Sequence, residues 1–148
     1  MNEAVAQASI KKRVLILCTG NSARSQMAEG LLRYQAGDRF EVESAGTKPS
    51  PVRREAIQVM REIGIDISNH RSKHLDEFAG QHFDYVLTVC DNANESCPMF
   101  PDATKRIHES FDDPPSPSVG SDEERLSVFR RVRDDLRTYL KCNSLDFI

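Results

Sequence analysis

Short apolar runs alternate along the chain with segments in which apolar residues recur at helical spacing. The runs are bounded by glycine, proline and polar residues, as buried strands commonly are. The predicted strands cover residues 13–17, 40–44, 83–89 and 105–108. The predicted helices cover residues 26–34, 51–62, 74–79 and 123–140. Strands that alternate with helices in this way favour a parallel sheet with helices on both faces, and hence a single-domain α/β fold.

The first predicted strand runs directly into Cys18, and an arginine follows at Arg24. In a parallel sheet this point is the carboxyl end of a strand, where ligands commonly bind. Backbone N–H groups at a strand–turn–helix junction can converge on one anion. The planar guanidinium of Arg24 suits two oxygens of a tetrahedral oxyanion such as phosphate or arsenate. The predicted oxyanion-binding residues are Thr19, Gly20, Asn21, Ser22, Ala23, Arg24 and Ser25.

Cys18 lies at the floor of this predicted anion site, which makes it a candidate nucleophile. We expect the backbone amides, the helix dipole and Arg24 to lower the pKa of its thiol, so that the thiolate is present at neutral pH. Two simpler interpretations stay open. Cys18 could be a small buried hydrophobic residue near a surface arginine, and Ser22 and Ser25 could be ordinary helix N-cap residues.

Two further cysteines, Cys90 and Cys97, follow the predicted strand 83–89. In an unbroken helix they would lie about 10.5 Å apart along the axis, whereas a disulfide needs Cα atoms within about 7 Å. They could therefore pair only if the segment between them looped or unwound. The cysteines could instead be inert, or bind zinc together with His70, His74, His82 and His108. No two cysteines have the usual zinc-ligand spacing of about two to four residues, and Cys142 has no partner motif.

Asp113 is a candidate general acid because it is followed by Pro114. Proline restricts the preceding residue to extended conformations, so the Asp113 carboxyl group is held on a stiff loop. Near a bound oxyanion, such a group can protonate a leaving oxygen. An ordinary Asp-Pro turn is the alternative interpretation, and Asp112 is interpreted as part of that turn.

The 148 residues and the formal net charge of -3 fit one domain and give no reason to expect nucleic acid or a membrane surface as a partner. We expect residues 1–11 to form a polar extension, residues 12–142 the domain and residues 143–148 a tail. The first residues do not resemble a secretory signal, so we expect a cytoplasmic protein with reduced cysteines. The arginines of the last predicted helix alternate with acidic residues, which predicts a solvated, salt-bridged face.

These motifs resemble those of arsenate reductases of the thioredoxin-coupled family, which shares the fold of low-molecular-weight protein tyrosine phosphatases. The resemblance covers most of the chain from about residue 13 to residue 140. Its matching segments are residues 17–30, 44–46, 64–68, 89–90, 97–99 and 111–114. The anion loop alone does not separate reductase from phosphatase, whereas the two later cysteines favour the reductase. The resemblance implies a four-stranded parallel sheet with helices on both faces.

The resemblance also implies a relay of three cysteines. Cys18 attacks arsenate, Arg24 stabilises the charge and Asp113 protonates the departing oxygen. Cys90 then attacks the sulfur of Cys18 and arsenite leaves. Cys97 attacks Cys90, so that the disulfide moves to a Cys90–Cys97 pair that thioredoxin can reduce. A two-electron reduction needs a second thiol, whereas hydrolysis of a phosphoenzyme needs only one.

Residues that match Asn21 and Ser25 orient the nucleophile in this family, so both are predicted supporting residues. Many relatives have a cysteine where this chain has Ala23; the relay does not need that cysteine. The implied partners are arsenate, phosphate or sulfate as competing anions, and thioredoxin, with no metal or organic cofactor. We expect a monomer that serves arsenic detoxification and has weak phosphatase activity.

Some reductases bind potassium beside the loop, through residues that match Asn21, Glu29, Ser44 and an aspartate. Lys73 occupies the fourth position in this chain. The resulting hypothesis is that the Lys73 ammonium group pairs with Glu29 in place of the ion, which would make the enzyme insensitive to potassium. Two other classes remain open: a tyrosine phosphatase and a non-catalytic phosphate-binding module.

Overall fold

The computed structural model describes residues 11–90 and 105–143. Within them lies a four-stranded parallel sheet with the order β2-β1-β3-β4. Its strands are β1 (Lys12–Cys18), β2 (Phe40–Gly46), β3 (Tyr85–Thr88) and β4 (Lys105–His108). The predicted parallel α/β fold is therefore confirmed.

Three α-helices accompany the sheet in the described part of the chain: α1 (Arg24–Ala36), α2 (Arg54–Arg61) and α3 (Asp122–Asn143). A short 3-10 helix spans Leu75–Phe78. Helix α1 packs on β1 and β2, and the three α-helices also contact one another. In α3 the fully buried residues Phe129, Val132, Leu136 and Leu140 recur at helical spacing, so that one face of the helix enters the core.

The two central strands are covered on both faces. All side chains from Val14 to Leu17 in β1 are fully buried, and every residue of β3 is buried as well. Because successive side chains in a strand point to opposite faces, a continuous buried run requires a covering layer on each side. This burial agrees with the layered fold that the sequence predicts.

Several element boundaries differ from their predictions. Strand β2 continues through Ala45 to Gly46, because these residues pair with Leu17 and Cys18 of β1. Helix α2 begins at Arg54, not at residue 51, since Arg53 has an extended backbone. The predicted helix 74–79 is a single 3-10 turn, and β3 is shorter than residues 83–89.

The arginines of α3 do not all lie on a solvated face, and that prediction is wrong for two of them. Arg125 and Arg133 are buried. The Nε group of Arg125 donates to Glu55 at 3.1 Å, and Nη1 of Arg133 donates to the Val59 carbonyl at 2.8 Å. Both acceptors lie on α2, so these arginines join α3 to α2. Alternation of charges in the sequence did not reveal this inter-helix role.

Among the helices that the structure describes, none has the length and apolar character needed to cross a lipid bilayer.

Candidate active site

Cys18 and Cys90 meet at the carboxyl ends of the two central strands. Leu17 of β1 is paired with Thr88 of β3, so the chain leaves both strands at the same edge of the sheet. Cys18 is the last residue of β1, and Cys90 follows β3 by two residues. The Cys18 thiol forms a hydrogen bond with Cys90, and both residues are buried. The parallel register thus brings together two thiols that are far apart in the sequence.

A pocket of about 250 Å³ opens above Cys18. Its lining residues are Cys18, Thr19, Gly20, Ser22, Ala23, Arg24, Arg53, Asp113 and Pro114. Five of the seven predicted oxyanion-binding residues therefore line it. The other two, Asn21 and Ser25, are fully buried and support the loop from beneath.

The carbonyl groups of the anion loop are held by the segment that follows β2. The backbone N–H of Lys48 donates to the Thr19 carbonyl at 2.8 Å, and that of Ser50 donates to the Gly20 carbonyl at 2.9 Å. The Ser72 hydroxyl also donates to the Gly20 carbonyl, at 3.1 Å. In a trans peptide the C=O and the N–H point in opposite directions. Fixing the carbonyls therefore fixes the amide donors that an anion would use.

Asn21 has a left-handed backbone, with φ of 47°, at the centre of the loop. Asparagine tolerates this conformation better than most residues. Its side-chain Nδ2 donates to the hydroxyls of Ser25 at 2.8 Å and Ser44 at 3.0 Å, while Oδ1 accepts from the Lys73 backbone N–H at 2.9 Å. The side-chain amide of Asn21 is thus hydrogen-bonded to α1, to β2 and to the segment before the 3-10 helix, which holds the loop in one shape.

Neither serine caps helix α1. The N-cap residue is Ala23, and the helix has no side-chain cap hydrogen bond. The Ser25 hydroxyl accepts from Asn21 instead. The N-cap interpretation of Ser22 and Ser25 is therefore wrong. An α1 start without a side-chain cap suits a site where the first helical N–H groups face an anion.

Arg24 is positioned by the loop that carries Asp113. One guanidinium nitrogen donates to the Phe111 carbonyl at 3.1 Å, and another lies 3.2 Å from the Asp113 carboxylate. The Arg24 side chain is only 12% exposed, whereas that of Asp113 is 80% exposed. Pro114 is buried in the pocket wall. The fixed arginine and the accessible carboxyl group have the placement that oxyanion binding and proton delivery need.

The pKa of Cys18 does not follow the prediction. The hydrogen bond with Cys90, together with burial, raises the pKa of Cys18 well above its ordinary value, although Arg24 and the Thr19 backbone act in the opposite direction. Two neighbouring sulfur atoms cannot both carry a negative charge at low cost. The expectation of a lowered pKa is wrong for this arrangement because it left out Cys90.

Replacing Cys90 with alanine should lower the pKa of Cys18. The substitution removes the largest cause of the upward shift, so the thiolate forms at lower pH. We expect the alkylation rate of Cys18 by iodoacetamide at a fixed pH below its pKa to rise at least about tenfold, as a pKa lowered by one unit requires. Mass spectrometry of the peptide that contains Cys18 measures this rate between about pH 5 and pH 10, a range that includes the pKa of an ordinary thiol.

Cys142→Ala is the control for that experiment, since it removes a thiol without removing Cys90. It should leave the alkylation profile of Cys18 unchanged. An unchanged profile in the Cys90→Ala protein would mean that burial, not the neighbouring thiol, governs the ionisation of Cys18.

Lys73 does not pair with Glu29 as predicted. Its ammonium group donates to the Arg71 carbonyl at 3.2 Å. The Glu29 carboxylate is buried and lies 3.1 Å from the guanidinium of Arg33, one turn along α1, and accepts from the Ser44 hydroxyl at 2.5 Å. Arg33 can reach Glu29 because the two residues are four apart on one helix. The expected insensitivity to potassium thus loses the contact on which it was based.

Sequence reasoning missed two residues of the site. The sequence predicts Gln26 only as part of a helix, yet it is buried and its Nε2 donates to the Asn21 carbonyl at 3.0 Å. A polar residue on the apolar face of a helix was the available signal. Arg53 lines the pocket with Cys18, and nothing in its sequence neighbourhood indicated that role.

Cys97 lies outside the described residues, so its predicted role stays a prediction. Asp112 pairs with Arg131 at 3.1 Å, which agrees with a structural role. Within the described residues, no group of three or more His, Cys, Asp or Glu side chains is arranged to hold a metal ion.

Comparison with known proteins decides the family. The family model described as low molecular weight phosphotyrosine protein phosphatase matches residues 13–143. The chain belongs to this family. An arsenate reductase of Halalkalibacterium halodurans is 46% identical over 131 residues, which are 88% of this chain and 94% of that protein. This chain therefore resembles a protein named arsenate reductase over nearly the whole length of that protein.

Solved structures of the family agree. A structure described as an arsenate reductase in the phosphate binding state has a TM-score of 0.79 and 30% identity, and the match covers 93% of this chain and 99% of that one. A thioredoxin-dependent arsenate reductase of Corynebacterium glutamicum has a TM-score of 0.64 and 28% identity. That match covers 97% of this chain and 67% of the other.

Proposed function

We propose that this protein reduces arsenate to arsenite through a thiol and disulfide relay of Cys18, Cys90 and Cys97, and that thioredoxin reduces the final disulfide. The observation that carries the proposal is the placement of Cys90 beside Cys18, which itself lines the pocket of the anion loop. A phosphatase needs only the first thiol, whereas a reductase needs a second one within reach. The named activity of the similar proteins supports the same choice.

The first step forms a bond between sulfur and arsenic. The Cys18 thiol, whose pKa is raised beside the protonated Cys90 thiol, first loses its proton to solvent. The resulting thiolate attacks arsenate, and one arsenate oxygen leaves as water after Asp113 supplies a proton. Arg24 and the loop amides stabilise the negative charge on the remaining oxygens. Arsenic keeps its oxidation state in this step. The partly buried Arg24 and the exposed Asp113 support this division of roles, because one must stay fixed and the other must exchange protons with water.

The second step transfers two electrons. The Cys90 thiolate attacks the sulfur of Cys18, and the bond between sulfur and arsenic breaks with its electron pair on arsenic. Arsenic is thereby reduced from As(V) to As(III) and leaves as arsenite, while the two sulfurs are oxidised to a Cys18–Cys90 disulfide. The Thr19 hydroxyl lies 3.3 Å from the Cys90 sulfur and can hold it in position for this attack.

The last steps restore the reduced enzyme. The Cys97 thiolate attacks Cys90, Cys18 leaves as a thiolate, and a Cys90–Cys97 disulfide forms. A dithiol of thioredoxin then reduces that disulfide by the same exchange chemistry and is itself oxidised. We further propose that the enzyme works as a cytoplasmic monomer without a metal or organic cofactor. Phosphate and sulfate should compete with arsenate, and slow hydrolysis of phosphate esters should accompany the main reaction.

Arsenate-dependent NADPH consumption, coupled through thioredoxin and thioredoxin reductase, tests the function. We expect steady turnover by the native protein. The Cys97→Ser protein should instead produce about one equivalent of arsenite and stop. Without the Cys97 thiol, the Cys18–Cys90 disulfide cannot exchange to a Cys90–Cys97 disulfide. Arsenite should be measured directly as well as NADPH.

Two results would contradict the proposal. No arsenate-dependent NADPH consumption by the fully reduced native protein would favour a phosphatase. Sustained turnover by Cys97→Ser with thioredoxin alone would remove Cys97 from the relay, while Cys142→Ser serves as the control that should behave like the native protein.

A further inference from the structure

A second arginine, Arg53, lines the pocket above Cys18 together with Arg24. It belongs to a different element, since it directly precedes α2, whereas Arg24 begins α1. Its side chain is only 17% exposed. An arginine that is largely buried beside an anion pocket differs from the freely solvated arginines of a protein surface.

Two side-chain contacts and one backbone hydrogen bond hold Arg53 in place. Its guanidinium lies over the ring of Phe129, 5.0 Å from the centroid, and donates to Glu55 at 3.1 Å. Its backbone N–H donates to the Ser22 carbonyl of the anion loop at 2.8 Å. Because the side chain is already ordered, binding an anion costs little additional conformational entropy.

The Arg53 charge is only partly compensated. Its partner Glu55 is buried and is shared with Arg125, whose Nε donates to the same carboxylate oxygen at 3.1 Å. Arg125 also pairs with Asp122, a largely exposed carboxylate that Arg54 shares, so three guanidinium groups face two carboxylates. An oxyanion bound in the pocket would compensate the positive charge that remains on this group of arginines and carboxylates.

We propose that Arg53 is a second anion-binding residue of the pocket, which determines how tightly the site holds doubly charged oxyanions such as arsenate and phosphate. This inference rests on the proposed function for the identity of the substrate. Arg53 contributes to binding of the ground state and takes no part in bond breaking. Its loss therefore raises KM and leaves kcat nearly unchanged.

The test compares Arg53→Gln with Arg54→Gln. The two variants remove the same charge from adjacent positions, but Arg54 is 73% exposed, pairs with Asp122 and lies outside the lining of the Cys18 pocket. Isothermal titration of the reduced proteins with inorganic phosphate measures binding without any turnover. We expect roughly tenfold weaker binding for Arg53→Gln, the order expected for one charge-assisted hydrogen bond. Arg54→Gln should stay within about twofold of the native protein.

Equal phosphate affinities of the two variants would overturn the proposal. Thermal unfolding identifies a variant that fails to fold. If Arg53→Gln fails, Arg53→Lys decides: binding at least about threefold weaker than native supports the role of the guanidinium, and native binding overturns it. The phosphate titration does not depend on the reaction, so failure of arsenate reduction in native protein would leave the Arg53 result interpretable.

Discussion

Cys90→Ser should abolish arsenate reduction while leaving hydrolysis of an aryl phosphate ester in place. The substitution removes the thiol that lies in hydrogen-bond contact with Cys18 and leaves Cys18, Arg24 and Asp113 unchanged. Serine is a far weaker nucleophile toward sulfur than a thiolate, so the electron-transfer step has no substitute. We expect arsenate turnover to fall by about a thousandfold or more, with hydrolysis of para-nitrophenyl phosphate retained at the native level or above, since loss of the Cys90 thiol favours the Cys18 thiolate.

The two activities should be measured on one preparation, because their ratio does not depend on the active fraction. Cys142→Ser is the matched control and should keep both activities. Loss of both activities in Cys90→Ser would show that Cys90 is needed for the shape of the anion pocket. Retention of both would mean that another thiol reduces the arsenic adduct, and the proposed relay would be wrong.

The sequence could predict that Cys18 and Cys90 lie at the carboxyl ends of strands, whereas the structure shows that these strands are neighbours in the sheet. Each cysteine follows a strongly apolar run, and the carboxyl ends of adjacent parallel strands lie together. The pairing of Leu17 with Thr88 gives that general rule its specific register. Arg24 and Asp113 could be predicted from their local sequence, since Arg24 lies where the helix after the Cys18 turn begins and Asp113 precedes Pro114.

The electrostatics of the site could not be predicted from single motifs. The shift in the pKa of Cys18 depends mainly on its contact with Cys90, which lies seventy-two positions later in the sequence. The partner of Glu29 depends on which of two cations reaches it, and Arg33 on the same helix lies closer than Lys73. Pair interactions of this kind need side-chain positions, and a pattern of residues does not supply them.

The sequence also did not predict which polar residues are buried. Gln26 and Arg125 are buried, although both residue types are usually exposed. Each is buried because it finds hydrogen-bond partners in the tertiary structure: the Asn21 carbonyl for Gln26, and Glu55 for Arg125. Burial of a polar group is acceptable when it is hydrogen-bonded. The sequence shows the polar group but not its distant partner.

Gly46→Ala should damage the anion loop without touching a reacting group. A Cβ atom at this position would lie 2.5 Å from the Thr19 carbonyl oxygen and 2.9 Å from the Asn21 backbone nitrogen. Gly46 cannot move away easily, because it pairs with Cys18 in the sheet and its N–H donates to the Lys73 carbonyl at 2.9 Å. The loop must therefore shift. We expect kcat/KM for arsenate to fall about a hundredfold, since small displacements of a binding loop have effects of that order.

The same collision should lower the free energy of unfolding by about 1–3 kcal/mol, as overpacking in a rigid core commonly does. Gly37→Ala separates the two effects. Its Cβ would lie 2.5 Å from the Arg33 carbonyl oxygen, at the end of α1 that is about 20 Å from the anion loop. That variant should lose stability in urea unfolding and keep native phosphate affinity. If Gly46→Ala also kept native phosphate affinity and kcat/KM, the loop would be adaptable, and its fixed shape could not be the source of anion binding.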